Sequence, residues 1–367
     1  MKSTKRALLF LFCFASCGIA EINAAPYPRS SVITGVRFDQ STWTKAAPGS
    51  DQFGYTTAAD GNIYVAWGDG GGFGGTNSRG RASLGVARLQ GTPPSWQGIN
   101  VWGGVKPLSS QPPTLGKTSN GAIAVDGAIY LYVCQQGVWT NNTLWKSTDL
   151  GMTWQKVGQM FKEPGSAFAD PGIIQFGPNY QGARDQYVYG YDEHFFADGL
   201  ALFRVDKSEL ENRADYEFFA GFDAGGRPLW SADIDRKRRV FVDPNGTEWG
   251  VTCTYHPHLR RYLLAVRHHG DSGDWGLFDA PEPWGPWTTV GYGSDFPKWV
   301  GSQDPNGPSK GRPAYMHSFP QKWMIADGTT LWHFCDRGDQ FNIVKAVLTL
   351  GSAAQRIQHK APSHVVR

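Results

Sequence analysis

Cysteine is scarce and lacks the spacing of a metal site. There are five in 367 residues and no CxxC pair, which argues against a structural zinc module or a disulfide scaffold. Charge is scarce as well: only 18% of residues are Asp, Glu, Lys or Arg, and the formal net charge is +3. Lys2, Lys5, Arg6 and Glu21 lie in the first 24 residues and account for +2 of that, so the remainder sits near +1. A chain so nearly neutral has no electrostatic footprint for nucleic acid. After residue 24 no apolar run is long enough to span a bilayer, and no long amphipathic helical pattern occurs. A Gly-x-Ser-x-Gly elbow, a Walker loop and a His-Glu-x-x-His motif are all missing. Their absence removes three common routes to acyl transfer, nucleotide hydrolysis and zinc proteolysis.

The first residues, MKSTKRALLFLFCFASCGIA, combine a basic start with an apolar stretch of about 14 residues, the pattern of a signal peptide. Cleavage is expected after Ala24 or Ala25, making residues 1–24 a leader and 25–367 one catalytic domain, secreted or periplasmic. Lipoprotein anchoring at Cys17 is the weaker alternative, because Phe14 is a poor residue at the head of such a motif. Cys134, Cys253 and Cys335 remain, each inside an apolar strand-like run, and read as buried small hydrophobes. One disulfide among them stays open at this level.

What is abundant points to strands and tight turns. Aromatics make up 14% of the chain, with 46 Gly, 23 Pro and 15 Trp, so the fold class is all-β. Runs such as GNIYVAWGD, GAIYLYVCQ and TTLWHFCDR are bounded by turn residues, and Asp60-Gly61, Asp126-Gly127, Asn245-Gly246 and Asp327-Gly328 are hairpin dipeptides. The repeat is of order 50–70 residues, the length of a four-stranded propeller blade with long loops. The expected blades are 52–101, 118–161, 167–221, 239–292 and 315–350, with VITGVRFD returning to complete the last. That makes a five-bladed β-propeller, or six blades if the loops hide one; a two-sheet sandwich would not need so long a chain.

Ser147-Thr-Asp149-Leu-Gly151-Met-Thr153-Trp154 is a self-contained turn. Asp149 accepts backbone N–H groups, Gly151 takes the left-handed position and Trp154 packs between sheets. The pattern resembles the Asp box of sialidase-like propellers, which lies on the rim away from the active face and makes Asp149 structural.

Three places carry residues suited to chemistry. In the first, Asp51 opens one strand and Asp69 ends the next, so antiparallel pairing brings both carboxylates to one end of one blade. Such a pair is the minimum equipment of a glycoside hydrolase, one kept protonated as acid and one ionised as base. In the second, Asp192, Glu193 and His194 follow a strand and Asp170 lies on the preceding strand, costly groups to bury unless they face solvent or a cleft. In the third, Tyr255, His256 and His258 stand beside Arg260 and Arg261, followed by His268 and His269. Arg neutralising a uronate and His or Tyr removing an α-proton would equip a polysaccharide lyase. No helix holds His256, His258 and His268 at metal-ligand spacing, so no metal and no cofactor are assigned. The Gly70–Gly75 loop has no following helix to bind phosphate.

The D-x-F-G … D-G-x-x-Y-x-x-W-G-D-G arrangement around Asp51 and Asp69 resembles a secreted β-propeller domain family with endo-D-arabinanase members. Further shared phrases are Leu202-Phe-Arg-Val, Tyr216-Glu-Phe-Phe-Ala-Gly221, Tyr262-Leu-Leu, the Pro-Trp-Gly-Pro-Trp turn and Asp339-Gln-Phe-Asn-Ile-Val-Lys345. The resemblance implies hydrolysis by an acid/base carboxylate pair at Asp51 and Asp69, with inversion. The wide Gly70–Gly75 loop departs from the family pattern, which leaves the glycan open. Substrate contacts are expected from Trp67, Asp170, Asp192, Glu193, His194, Tyr255 and His256. The partner is therefore a polysaccharide or oligosaccharide, met by a monomer with no membrane span. The alternatives are a propeller lyase on uronate-containing glycans and a non-catalytic glycan-binding propeller.

Overall fold

Short β-branched and aromatic segments cut by Gly and Asp turns leave little choice but sheets, and sheets are what form. The computed structural model describes residues 24–113, 121–134, 142–162, 168–192, 197–269, 275–293, 296–297, 300 and 314–359. Residues 1–23 of the expected leader, Glu193 and His194 lie outside the described residues. The chain opens with β1 (Ile33–Ala46). β2 (Asp51–Thr57), β3 (Ile63–Gly68), β4 (Leu84–Thr92) and β5 (Ser95–Trp102) form a first antiparallel group in that order. β6 (Gly121–Val125), β7 (Ala128–Cys134), β8 (Asn142–Ser147) and β9 (Gln155–Gln159) form a second. A third runs β10 (Gly172–Gln175), β11 (Tyr187–Asp192), β12 (Gly199–Asp206), β13 (Glu217–Phe222) and β14 (Pro228–Ser231), with β15 (Arg239–Val242) also on β12.

The fourth group is β16 (Glu248–His256), β17 (Arg261–Arg267), β18 (Trp275–Ala280) and β19 (Thr288–Gly293); a parallel β10–β16 pair joins it to the third. The last is β20 (Ala314–Ser318), β21 (Thr330–Arg337) and β22 (Phe341–Leu350), completed by β1. One helix, α1 (Ser352–His359), follows. Among the described residues no helix is long and apolar enough to cross a membrane.

The first strands of the groups lie against one another in sequence, β2 on β6, β6 on β10, β10 on β16, β16 on β20, and β20 on β2. The returning segment behaves as the sequence suggests: Ile33 pairs with Leu350 and Ala46 with Phe341. Two details differ. The residues 239–242 expected in the fourth group pair instead with Gly199–Ala201 of the third, so the fourth begins at Glu248. The three cysteines are all buried and free.

Packing explains why the central strands read as unbroken apolar runs. In β3 alternate side chains face opposite neighbours. Tyr64 and Ala66 pack with Ile129, Leu131 and Trp154 of the second group, whereas Ile63, Val65 and Trp67 pack with Phe334, Phe341 and Ile343 of the last. Each buried Ile, Val, Leu or Phe among them contributes about 1.5–3 kcal/mol. Where turns carry the chain, the chemistry is local. Asp126 and Gly127 both take positive φ (49° and 81°) in the two-residue hairpin between β6 and β7. Asp149 Oδ1 accepts the Thr153 N–H at 2.9 Å and the Ser147 hydroxyl at 2.8 Å, and Trp154 packs 6.0 Å from Trp102 of the first group.

Candidate active site

Strand direction decides which side chains meet. β10 and β16 are parallel, with Ile174 opposite Cys253, and the Tyr55 hydroxyl lies 2.6 Å from Thr254 Oγ1. The openings of β2, β10 and β16 therefore lie at one end, together with the closing residues of their hairpin partners. That end holds Asp51, Asp69, Asp170, Asp192, Glu248 and Asp336.

Asp51 pairs across the β2–β3 ladder with Gly68, so Asp69 follows directly beside it, as the hairpin pattern suggests. The backbone here is bent: a register shift separates Asp51 from Gly54, and Gln52 and Asp69 both take positive φ, 52° and 51°. Asp69 Oδ1 forms an ion pair with Arg81 Nη2 at 3.0 Å, both side chains substantially exposed. Asp51 is half-buried.

Asp336, at the end of β21, is wholly buried. Its Oδ2 accepts the Gln52 N–H at 3.3 Å and its Oδ1 accepts the Gln340 N–H at 3.3 Å. Burial pushes its carboxyl well above the usual carboxylate range, and the negative charge of Asp51 pushes it further. The half-buried Asp51, its Oδ1 out of solvent, thus stands before a buried carboxyl that resists ionisation.

The Gly70–Gly75 loop is not open. Its Gly72 N–H donates to Ser50 Oγ at 3.0 Å. The Asn100 side chain holds both polar groups of Phe73, accepting its N–H at 2.9 Å and donating to its carbonyl at 3.0 Å. Gly70, at φ 65°, would place a Cβ 2.3 Å from the Gly49 carbonyl oxygen. Trp67 is fully buried beneath this loop, with Gly72 and Gly85 against its ring. It supports the loop and offers no face to a sugar.

Asp170 and Asp192 also come together. The Asp170 N–H donates to Asp192 Oδ2 at 3.1 Å. Cys134 lies behind them, its thiol pushed up by burial and then by both carboxylates. Glu248 is a buried acid that sequence reasoning missed. Its Oε2 lies 2.7 Å from Arg267 Nη1 and its Oε1 2.5 Å from His269 Nδ1.

Tyr255 and His256 lie elsewhere. Register puts Glu248 opposite Arg267 at one end of β16 and His256 opposite Arg261 at the other, so they stand at the end away from Asp51. His256 is fully buried, its Nδ1 accepting the Leu259 N–H at 3.3 Å, and burial pushes it down to about 4. The Tyr255 ring packs on Phe176 and Tyr262 at 5.4 and 5.1 Å. At this far end a cavity of about 420 Å³ is lined by Arg184, Arg260, Arg261, Glu282 and Ile357. Glu282 already holds Arg184 through two contacts of 2.8 and 3.0 Å.

The family model described as Domain of unknown function (DUF4185) matches residues 107–301. Among solved structures the chain is similar to a hydrolase candidate from Bacteroides ovatus ATCC 8483. Identity is 11% and the TM-score 0.52, over 89% of this chain and 93% of that one. This likeness is one of fold. The chain is also similar to the alpha-L-arabinofuranosidase PaAbf62A from Podospora anserina, solved in complex with cellotriose, at 11% identity and TM-score 0.48 over 87% and 96% of the two chains. A third similar structure is the GH43_1 enzyme from Xanthomonas citri, at 14% identity and TM-score 0.45 over 85% and 94%. No curated protein matches.

Proposed function

The chain belongs to the DUF4185 family, whose model spans just over half of it, and from that premise we propose that it is a glycoside hydrolase built as a five-bladed β-propeller. Asp51 and Asp69 are the acid/base pair at the strand-opening end of the first blade, with inversion at the cleaved sugar. The observation that supports this reading is the β2–β3 register, which sets half-buried Asp51 opposite Gly68 and so beside Asp69, itself exposed and paired with Arg81. Asp336 positions: through the Gln52 N–H it holds the backbone beside Asp51, and its resistance to ionisation keeps a second negative charge away from the site.

The carboxylates of Asp170 and Asp192 at the same end are proposed to bind sugar hydroxyls, and an arabinan-like polysaccharide is the proposed substrate. The leader over residues 1–24, export and action as a monomer belong to the same proposal. The lyase reading has less support, because Tyr255 and His256 stand at the opposite end and His256 is buried. The test is to incubate the purified protein with plant, algal and mycobacterial polysaccharides and score new reducing ends. Cleavage of none of them by folded protein would remove the proposal.

A further inference from the structure

Three donor side chains in the last group stand apart from the carboxylates. His333 and Cys335 alternate along β21 and so share the face toward the fourth group. On the neighbouring strand, Tyr315 pairs with Asp336 but Ser318 pairs with Phe334, so β20 carries one extra residue. Met316 absorbs it at φ 52°. Without this bulge His317 would stand opposite Phe334, whose ring faces the first group. With it, His317 stands opposite Cys335, on the His333 face.

The ligand atoms of His317, His333 and Cys335 all lie within 4.8 Å of one another, and His317 Nδ1 is 3.2 Å from His333 Nε2. Two imidazole nitrogens bound at about 2.0–2.1 Å to one ion at a tetrahedral angle lie about 3.3 Å apart. The surroundings are dry: Trp275 and Phe296 lie 4.7 and 4.5 Å from the His317 ring, and Phe319 and Phe38 lie 4.9 and 5.4 Å from His333. Both imidazoles are buried. His317 Nε2 and His333 Nδ1 have no hydrogen-bond partner among the described residues. The 3.2 Å contact is a hydrogen bond between the two inner nitrogens, which are the donors an ion between the rings would take in its place.

We propose that His317, His333 and Cys335 form a binding site for one thiophilic transition-metal ion, Cu(I) or Zn(II), within the core between the last group and the fourth. Thiolate and imidazole donors select these ions. On binding, the Cys335 S–H bond breaks, its proton passes to solvent and a sulfur–metal bond forms, while both imidazoles bind as neutral donors. The site is independent of the hydrolytic reading.

The test strips the full chain with a chelator, then equilibrates it with Zn(II), or with Cu(I) under anaerobic reducing conditions, and measures metal per chain by elemental analysis. Uptake of about one ion per chain of either metal, with a raised melting temperature, is the expected result. Cys335→Ser weakens uptake more than about tenfold, whereas Cys134→Ser, in the second group, binds like the wild type. If Cys335→Ser fails to fold, His333→Gln takes its place. Folded wild-type protein that holds less than about 0.1 ion per chain of both metals overturns the proposal. So does a folded Cys335→Ser or His333→Gln variant that binds like the wild type.

Discussion

The backbone N–H of Gln52 donates to the buried carboxyl of Asp336 at 3.3 Å, joining residues 284 positions apart. The bond ties the opening of β2 to the end of β21, and so fixes the backbone beside Asp51 from the other terminus of the chain. The proposed acid/base chemistry and the packing of the last group against the first meet at this contact.

Replacing Asp51 by Asn keeps the side-chain shape and removes its titration. Turnover on the best polysaccharide is expected to fall about 10²–10⁴-fold, with an unchanged melting curve. Asp69→Asn lowers turnover similarly. Its stability cost stays within about 1 kcal/mol, because the ion pair with Arg81 is solvent-exposed. Wild-type turnover in either variant removes that residue from the mechanism.

Asp336 has a distinct signature in pH. Its folded-state pKa is raised, so the folded protein holds this proton after the unfolded chain has released it. Its contribution to stability therefore falls as pH rises above the unfolded carboxylate value near about 4. Asp336→Asn is expected to flatten the decline of melting temperature above that pH and to shift the pH profile of turnover. Identical slopes in wild type and variant would contradict the buried, proton-retaining role.

Gly61, in the β2–β3 turn, and Gly70, in the glycine loop, contrast backbone strain alone with strain plus a clash. Gly61 has φ 73° and nothing within 4 Å of an added Cβ, so Gly61→Ala costs about 1 kcal/mol. Gly70→Ala adds a contact of 2.3 Å with the Gly49 carbonyl oxygen. It is expected to lower the melting temperature further and to reduce turnover by displacing the segment that carries Asp51. Equal effects of the two substitutions would show that the loop does not brace the site.

Tyr255→Phe separates hydrolysis from elimination. Tyr255 packs at the end of β16 away from Asp51, so the variant keeps wild-type turnover. Loss of activity with an unchanged fold would favour the lyase reading.

Asp51 and Asp69 were legible because hairpin geometry is local: a strand, a turn and a strand place both ends together wherever the sheet later goes. The same locality exposed the Asp149 turn, whereas the return of β1 onto β22 joins opposite ends of the chain and was expected because it covers an open strand edge. Asp336 was not legible, since its partner Gln52 lies at the other end of the chain and Cys335-Asp336-Arg337 reads as an ordinary strand end. Glu248 was missed for a related reason, its ion partners being fixed by β16–β17 register. Trp67 shows the limit of aromatic signals: a Trp that stacks on sugar and one that floors a glycine loop look alike until burial is known. The group Tyr255, His256 and His258 reads as a cluster, but which end of the sheet it occupies depends on strand direction across neighbouring groups.

The most direct measurement of the central claim is digestion of the cleaved polysaccharide in ¹⁸O-labelled water, with products analysed by mass spectrometry. Hydrolysis through Asp51 predicts one labelled oxygen in each newly formed reducing end, no ultraviolet band from a conjugated double bond, and neither change with Asp51→Asn. Unlabelled products carrying that band, or labelled products formed equally well by Asp51→Asn, would contradict it.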